Sequence, residues 1–384
     1  MYIIEKIENQ FVKIYGTRPY IFRSPGRVNL IGEHTDYNEG FVLPAAIDKA
    51  IIFAIAERND NRCRFYADDL NDEYECGLSN IGKAIKRWAN YLLGVVDQIQ
   101  KHGYKLKGFD CVFGGDIPIG AGLSSSAAIE AGLAFALNTI FKLNIDKLEL
   151  VKMAQKAEHE FAGVRCGIMD QFINIFGEAN KVLKLDCRSL EYEYFPFEMK
   201  DVNIVLLDTH VKHSLASGEY NIRRAQCEEG VSILKKYNPL INSLRDVNID
   251  LLNDHKTELD PVVFRRCHYV INENERLLNG CNDLKNNDLN SFGKRMYQSH
   301  EGLRDEYEVS CNELDILVET ASKESSVLGA RMMGGGFGGC SINLVTQNGA
   351  DNFIQTAKEE YIKKTGSELK VYVTSIVGGT EEIV

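Results

Sequence analysis

The chain has no apolar run approaching the roughly 20 residues that a helix needs to cross a bilayer. Its most hydrophobic stretch, Ala-Ile-Ile-Phe-Ala-Ile-Ala at 50–56, has the length of a buried strand. Residues 1–15 mix charged with apolar side chains and lack a signal-peptide core, so no secretory or membrane address is expected. There are ten cysteines but no Cys-x-x-Cys pair, which argues against both a zinc site and a disulfide framework. Free thiols in a reducing cytoplasm are expected instead. His210 and His213 stand three apart without a carboxylate or thiol nearby, so no metal site is expected there. Positive charge is in deficit: 44 Lys and Arg against 55 Asp and Glu leave a net charge of −11. That balance disfavours nucleic acid and anionic membranes as partners. It leaves small anionic ligands open, because a pocket can be locally positive.

What is present suits a globular enzyme. Hydrophobic residues make up 44% of the 384 and charged residues 26%, ordinary values for a folded soluble protein. The length favours two domains over one core. A composition shift near 190–200 places the boundary there, giving 1–195 and 196–384. Periodicity predicts strands at 20–23, 41–56, 108–113, 181–186, 202–208, 340–346 and 369–375. It predicts helices at 82–101, 123–141, 147–162, 219–236, 262–280, 286–300 and 350–364. A polar, hairpin-like stretch covers 187–200. The helix at 123–141 is apolar on nearly every side and so should be buried.

Three segments carry chemistry. Residues 24–37 (Ser-Pro-Gly-Arg-Val-Asn-Leu-Ile-Gly-Glu-His-Thr-Asp-Tyr) crowd Arg27, Glu33, His34 and Asp36 beside an apolar run. Carboxylates accept from sugar hydroxyls and an imidazole can donate or accept, so the segment suits a polyhydroxylated ligand. A polar turn capped by Asp36 or Asn38 is the plainer reading. The second segment, Gly114 to Ala128, joins a strand to the buried helix through Gly120, Ala121, Gly122, Leu123, Ser124, Ser125 and Ser126. Free N–H groups at a helix start attract phosphate, and the glycines permit close approach. No Lys follows in the Walker frame, and Ser125 stands where a dinucleotide fingerprint needs its third Gly. An ordinary N-cap is the alternative. The third segment, Gly334–Gly339, contains Gly-x-Gly-x-x-Gly but leads into a strand. It reads either as a tight turn or as a loop closing a site.

Together these motifs resemble the galactokinase branch of a small-molecule kinase superfamily that also holds homoserine, mevalonate and phosphomevalonate kinases. The resemblance runs nearly the whole length. It includes Arg87–Tyr91, Cys166–Gln171 and Glu219–Arg224, and it is most specific in Arg-Val-Asn-Leu-Ile-Gly-Glu-His-Thr-Asp-Tyr with Gly-Ile-Met-Asp-Gln-Phe. It implies a two-domain α+β kinase with its site in the interdomain cleft, ATP and Mg2+ as cofactors, and phosphorylation of the anomeric hydroxyl of galactose. By the resemblance, Asp170 is the catalytic aspartate and Arg27 the arginine beside it. Glu33, His34, Thr35, Asp36, Gly167 and Tyr220 are sugar-site positions. Gly120 to Ser126 hold the nucleotide, and Ser126 with Glu158 the magnesium. Trp88, the only tryptophan, falls in the region of the adenine pocket, with core packing as its plainer role. Ala67 occupies a nucleotide-contacting position that is often Ser in relatives. The expected partners are small molecules, with the protein a monomer or weak homo-oligomer. A sister kinase acting on N-acetylgalactosamine or arabinose, and a galactose sensor without turnover, remain open on these residues.

Overall fold

The computed structural model describes residues 2–118, 120–197, 201–211 and 216–383, without the side chains of residues 216 and 217. Ile119 of the phosphate loop, His213 and the end of the hairpin-like stretch lie outside the described residues. Thirteen described strands form three sheets: β1 (Tyr20–Asn29), β2 (Phe41–Val42), β3 (Pro44–Glu57), β4 (Arg62–Ala67), β5 (Asp72–Gly77), β6 (Phe109–Gly115), β7 (Lys181–Asp186), β8 (Tyr192–Pro196), β9 (Val202–Asp208), β10 (Val327–Met332), β11 (Cys340–Thr346), β12 (Lys370–Thr374) and β13 (Glu381–Ile383). The first sheet runs β13-β1-β3-β6-β4-β5, the second β10-β11-β9-β12 and the third β2-β7-β8. All pairings are antiparallel except β4 with β6. The helices are α1 (Tyr2–Tyr15), α2 (Arg87–Lys101), α3 (Ser125–Ile140), α4 (Lys147–Ala157), α5 (Met169–Phe176), α6 (Ala216–Leu234), α7 (Ile249–Asp254), α8 (Pro261–Lys285), α9 (Leu289–Asp305), α10 (Asn312–Ser322) and α11 (Ala350–Thr365).

The unbroken apolar run at 50–56 has a direct cause. Ile51, Phe53 and Ile55 face the main core, while Ile52 and Ala54 meet Ile7 and Phe11 of α1 on the other face. A strand covered on both faces loses the alternation of a half-exposed one. The second sheet is covered in the same way. Ile204 and Leu206 join the main core, and Val205 and Leu207 pack with Phe353 and Ala357 of α11. Helix α3 is buried as its composition predicts. Gly132 lets it lie against β1, since a Cβ there would meet Ser24 Cβ at 2.6 Å.

Several expectations are corrected. The helix expected from 82 begins at Arg87, because residues 81–86 run without helical structure. The helix expected over 147–162 is α-helical only to Ala157 and closes in a π turn, Glu158–Ala162. Helix α1 had no sequence assignment, although it buries Ile7 and Phe11. The hairpin β4–β5 and the short α5 also went unread, because each is too short for periodicity to separate from loop. The last strand, β13, returns to pair with β1 of the first sheet.

Candidate active site

The segment between β1 and β2 is a folded loop built largely by side chains outside it. Gly32 has φ +95°, and a Cβ there would lie 2.6 Å from Leu277 Cδ1. His34 also takes a left-handed conformation, φ +60°. Thr35 is fully buried, and its single hydroxyl proton is shared between Gly32 O (2.9 Å) and Phe41 O (2.5 Å). From α8, Glu273 accepts from Gly32 N (2.9 Å), Asn274 from Phe41 N (2.8 Å), and Tyr269 donates to Glu33 O (3.1 Å). These three residues were not found from the sequence. Polar positions on a long helix look like solvated surface until the fold places them against a loop.

The loop delivers its side chains to a cavity of about 180 Å3. Arg27, Glu33, His34, Asp36, Glu158, Gly167, Asp170, Tyr220, Gly334 and Gly335 all line it. Arg27 forms a two-pronged pair with Asp170, Nε to Oδ1 at 2.7 Å and Nη2 to Oδ2 at 2.9 Å. Burial pushes the guanidinium down, but the Asp170 charge and hydrogen bonds outweigh it and leave Arg27 above its usual range. Its third nitrogen donates to Gly122 O at 2.5 Å. Arginine suits such a task because its planar fork matches a carboxylate. Glu33 Oε1 accepts from Arg331 (3.1 Å) and from the Gly334 amide (2.8 Å). Arg331 is fully buried and also bonds Leu30 O, so it ties β10 to the sugar-motif loop. It is another residue that the sequence did not disclose.

His34 and Asp36 sit two residues apart and are displaced in opposite senses. Burial, helped by Arg223 and Arg331, pushes His34 down to about 3. Burial and the Asp170 charge push Asp36 up to about 7. His34 is therefore neutral near pH 7. Its Nδ1 pairs with Tyr37 OH at 2.7 Å, while its buried Nε2 makes no hydrogen bond of good geometry among the described residues, the Gly335 backbone lying nearby. A larger residue at 167 would have to displace Asp36: a Cβ there would lie 1.8 Å from its Oδ2 and 2.7 Å from its Cβ. Tyr220 packs its ring against His34 and Tyr37, with centroids 5.5 and 4.9 Å apart.

Behind Asp170 lies the expected phosphate loop. Gly120 and Gly122 have φ of +83° and +78°, and a Cβ on Gly120 would meet nothing within 4 Å. Ser124 is left-handed (φ +56°) and makes no side-chain cap. Its hydroxyl donates to Asp170 Oδ2 instead. An ordinary N-cap is thus excluded at Ser124, and the leading N–H groups of α3 have no side-chain acceptor there. Glu158 is 7% exposed, and Oε2 accepts from Gln171 Nε2 (2.7 Å) and the Cys166 thiol (3.2 Å). Burial raises its pKa, while the Cys166 thiol and Ser126 hydroxyl oppose the rise. A buried carboxylate with no Lys or Arg paired to it among the described residues fits a cation beside Ser126.

Thr35, Ala67, Trp88 and the loop residues Gly120 to Ser126 do not line this cavity. Ala67 is 2% exposed and registers with Phe113 across the β4–β6 pair. Trp88 lies 5.8 Å from Phe113, and its Nε1 donates to Asp72 at 2.8 Å. Both therefore border the end of β6, where the chain enters the phosphate loop. Among the described residues no group of three or more His, Cys, Asp or Glu could hold a metal, and no helix is long and apolar enough to cross a membrane. All ten cysteines are free.

Known proteins match this arrangement along its length. The galactokinase galactose-binding signature covers residues 9–57, the N-terminal domain of GHMP kinases residues 90–178 and their C-terminal domain residues 282–363. A galactokinase of Clostridium acetobutylicum is 44% identical over 99% of this chain and 98% of its own. One of Thermotoga maritima is 41% identical over 94% and 99%. The crystal structure of Lactococcus lactis galactokinase complexed with galactose superposes with a TM-score of 0.96 at 35% identity, covering 99% of this chain and all of the other. Methanococcus jannaschii mevalonate kinase shares the fold, with a TM-score of 0.66 at 18% identity over 95% of this chain and all of its own. The chain is a two-domain α+β protein of the GHMP fold and belongs to the galactokinase family.

Proposed function

We propose that this enzyme transfers the γ-phosphoryl group of ATP to the anomeric hydroxyl of D-galactose, giving galactose 1-phosphate and ADP. The observation that carries the reading is the Arg27–Asp170 pair, set between a polar cavity of monosaccharide size and a glycine-serine loop opening a buried helix. Phosphoryl transfer has a loose transition state, so positioning and charge stabilisation do most of the work.

In this reading Asp170 accepts a hydrogen bond from the attacking hydroxyl and takes its proton late, when the oxygen has become acidic. Arg27 orients Asp170 through its two-pronged pair and offsets charge building on the transferred group. Glu33, His34, Asp36, Gly167 and Tyr220 hold the sugar, with His34 Nε2 and the free edges of the two carboxylates meeting its hydroxyls. Thr35 contributes by shaping the loop. A misplaced hydroxyl leaves a buried acceptor unpaired, and epimers are told apart in that way. Gly120 to Ser126 receive the phosphates, and Ala67 and Trp88 border the base. Ser126 and Glu158 would hold Mg2+, which when bound neutralises charge on the phosphates. The lobes divide near 195–196, with β13 crossing back to the first. Free thiols and ATP dependence favour a cytoplasmic setting, and our reading of the enzyme is a monomer or weak homo-oligomer.

The test is ADP release with ATP and Mg2+ across galactose, glucose, N-acetylgalactosamine and arabinose. Galactose-dependent turnover well above the others is expected. Galactose binding without ADP release would reject a kinase, and preferred turnover of another sugar would reject the substrate.

A further inference from the structure

Glu130 lies on α3 one turn beyond Ser126, and it is 0% exposed. Residues four apart share a helix face, so Glu130 lies on the same face of α3 as Ser126. Its carboxylate and that of Glu158 are within hydrogen-bonding reach of each other. Gln171 bridges them, donating from Nε2 to Glu158 Oε2 at 2.7 Å and to Glu130 Oε2 at 3.4 Å. No Lys or Arg forms an ion pair with either carboxylate among the described residues. Two oxygens in this cluster, Glu130 Oε1 and Gln171 Oε1, are buried without a hydrogen-bond partner. Gln171 is itself 0% exposed. Two carboxylates buried in contact need either a shared proton or a cation, and orphaned oxygens on both Glu130 and Gln171 are what a hydrated cation would satisfy.

We propose that Glu130 supplies a second carboxylate to the divalent-cation site of Ser126 and Glu158, reaching the ion directly or through one of its waters, with Gln171 orienting both acids. The proposal rests on the kinase reading above. Magnesium retains most of its water and takes only one or two protein carboxylates beside substrate phosphate, so a hydroxyl and two acids are sufficient. Groups supporting a metal ligand commonly alter metal affinity by 10- to 100-fold.

The experiment is Mn2+ binding to the ADP-bound enzyme, followed by electron paramagnetic resonance, for wild type, Glu130→Gln and Glu158→Gln. Galactose binding is measured alongside as a check of folding. Glu130→Gln is expected to weaken Mn2+ about tenfold or more with galactose affinity unchanged, and Glu130→Asp to recover part of the loss. Mn2+ affinity within twofold of wild type in Glu130→Gln, with Glu158→Gln impaired, would overturn the role of Glu130 and leave the Glu158 site standing. It would show that the two acids only share a proton, a role the glutamine amide can replace. Unchanged affinity in both variants would overturn this proposal and the magnesium assignment together.

Discussion

Two glycine-rich loops meet at the active site, and their glycines are there for different reasons. In the phosphate loop, Gly120 and Gly122 need positive φ but have room around them: a Cβ on Gly120 meets nothing, and one on Gly122 comes no nearer than 3.5 Å to Met333 O. In the 334–339 loop, a Cβ on Gly336 would lie 2.2 Å from Val309 O and one on Gly338 2.4 Å from Val211 O. The first loop leaves space for a ligand, whereas the second lines the cavity only with Gly334 and Gly335 and packs Gly336 and Gly338 against its own protein. They also address different carboxylates. The first contacts Asp170 through Ser124 and receives Arg27 on Gly122 O, while the second presents the Gly334 amide to Glu33. They abut each other as well, since a Cβ on Gly334 would lie 3.4 Å from Gly122 O and one on Gly339 3.4 Å from Ala121 O. A glycine run in sequence thus reports backbone permissiveness, and only its surroundings say whether ligand or protein uses it.

Breaking the first loop's link to chemistry should have the largest effect. Asp170→Asn is expected to lower kcat by about 10^3, the scale of a positioned acid–base group, while galactose affinity by calorimetry stays near wild type. Turnover close to wild type would remove Asp170 from catalysis. Next comes the contrast between the loops themselves. Gly336→Ala should destabilise the fold by about 3 kcal/mol, from left-handed strain together with a backbone clash. Gly120→Ala should cost about 1 kcal/mol, from strain alone, and raise KM for ATP. Urea unfolding compares the two variants, and equal losses would erase the distinction.

The smallest effect sharpens a comparison within the sugar loop. Asp36, with a folded pKa raised to about 7, contributes stability that is complete below the unfolded value near ~3.8 and lost as pH rises through 7. His34, lowered to about 3, does the opposite: its contribution is complete above about 6.5 and lost as pH falls toward 3. Between about pH 4 and 6.5 the two slopes oppose. Asp36→Asn should leave stability that rises with pH across this window. His34→Asn, which tolerates the left-handed φ, should leave stability that falls. Each slope should amount to roughly 1–2 kcal/mol across the window once partial hydration is allowed for. Urea unfolding at pH 4.5, 5.5 and 6.5 reads the slopes, and parallel profiles in both variants would refute the opposed shifts.

Much of this was legible in the residues. Strands β3 and β9, the buried α3 and the helices α8, α9 and α11 follow from patterning over long segments, where periodicity is strong. Arg27, Asp170, Glu33, His34, Asp36, Gly167 and Tyr220 came from three local motifs and a family resemblance, and the fold gathers them around one cavity. What the chain alone determined is therefore local: which segments bury which faces, and which loops carry chemistry-bearing groups. Tertiary structure decided the rest. It chose Ser124 as a partner of Asp170 over a cap, turned the Thr35 hydroxyl back into its own loop, and brought Arg331, Tyr269, Glu273 and Asn274 from more than two hundred residues away to hold that loop. It also paired Glu130 with Glu158. A polar side chain's role depends on what desolvates it and what it meets, and neither is written in its immediate neighbours.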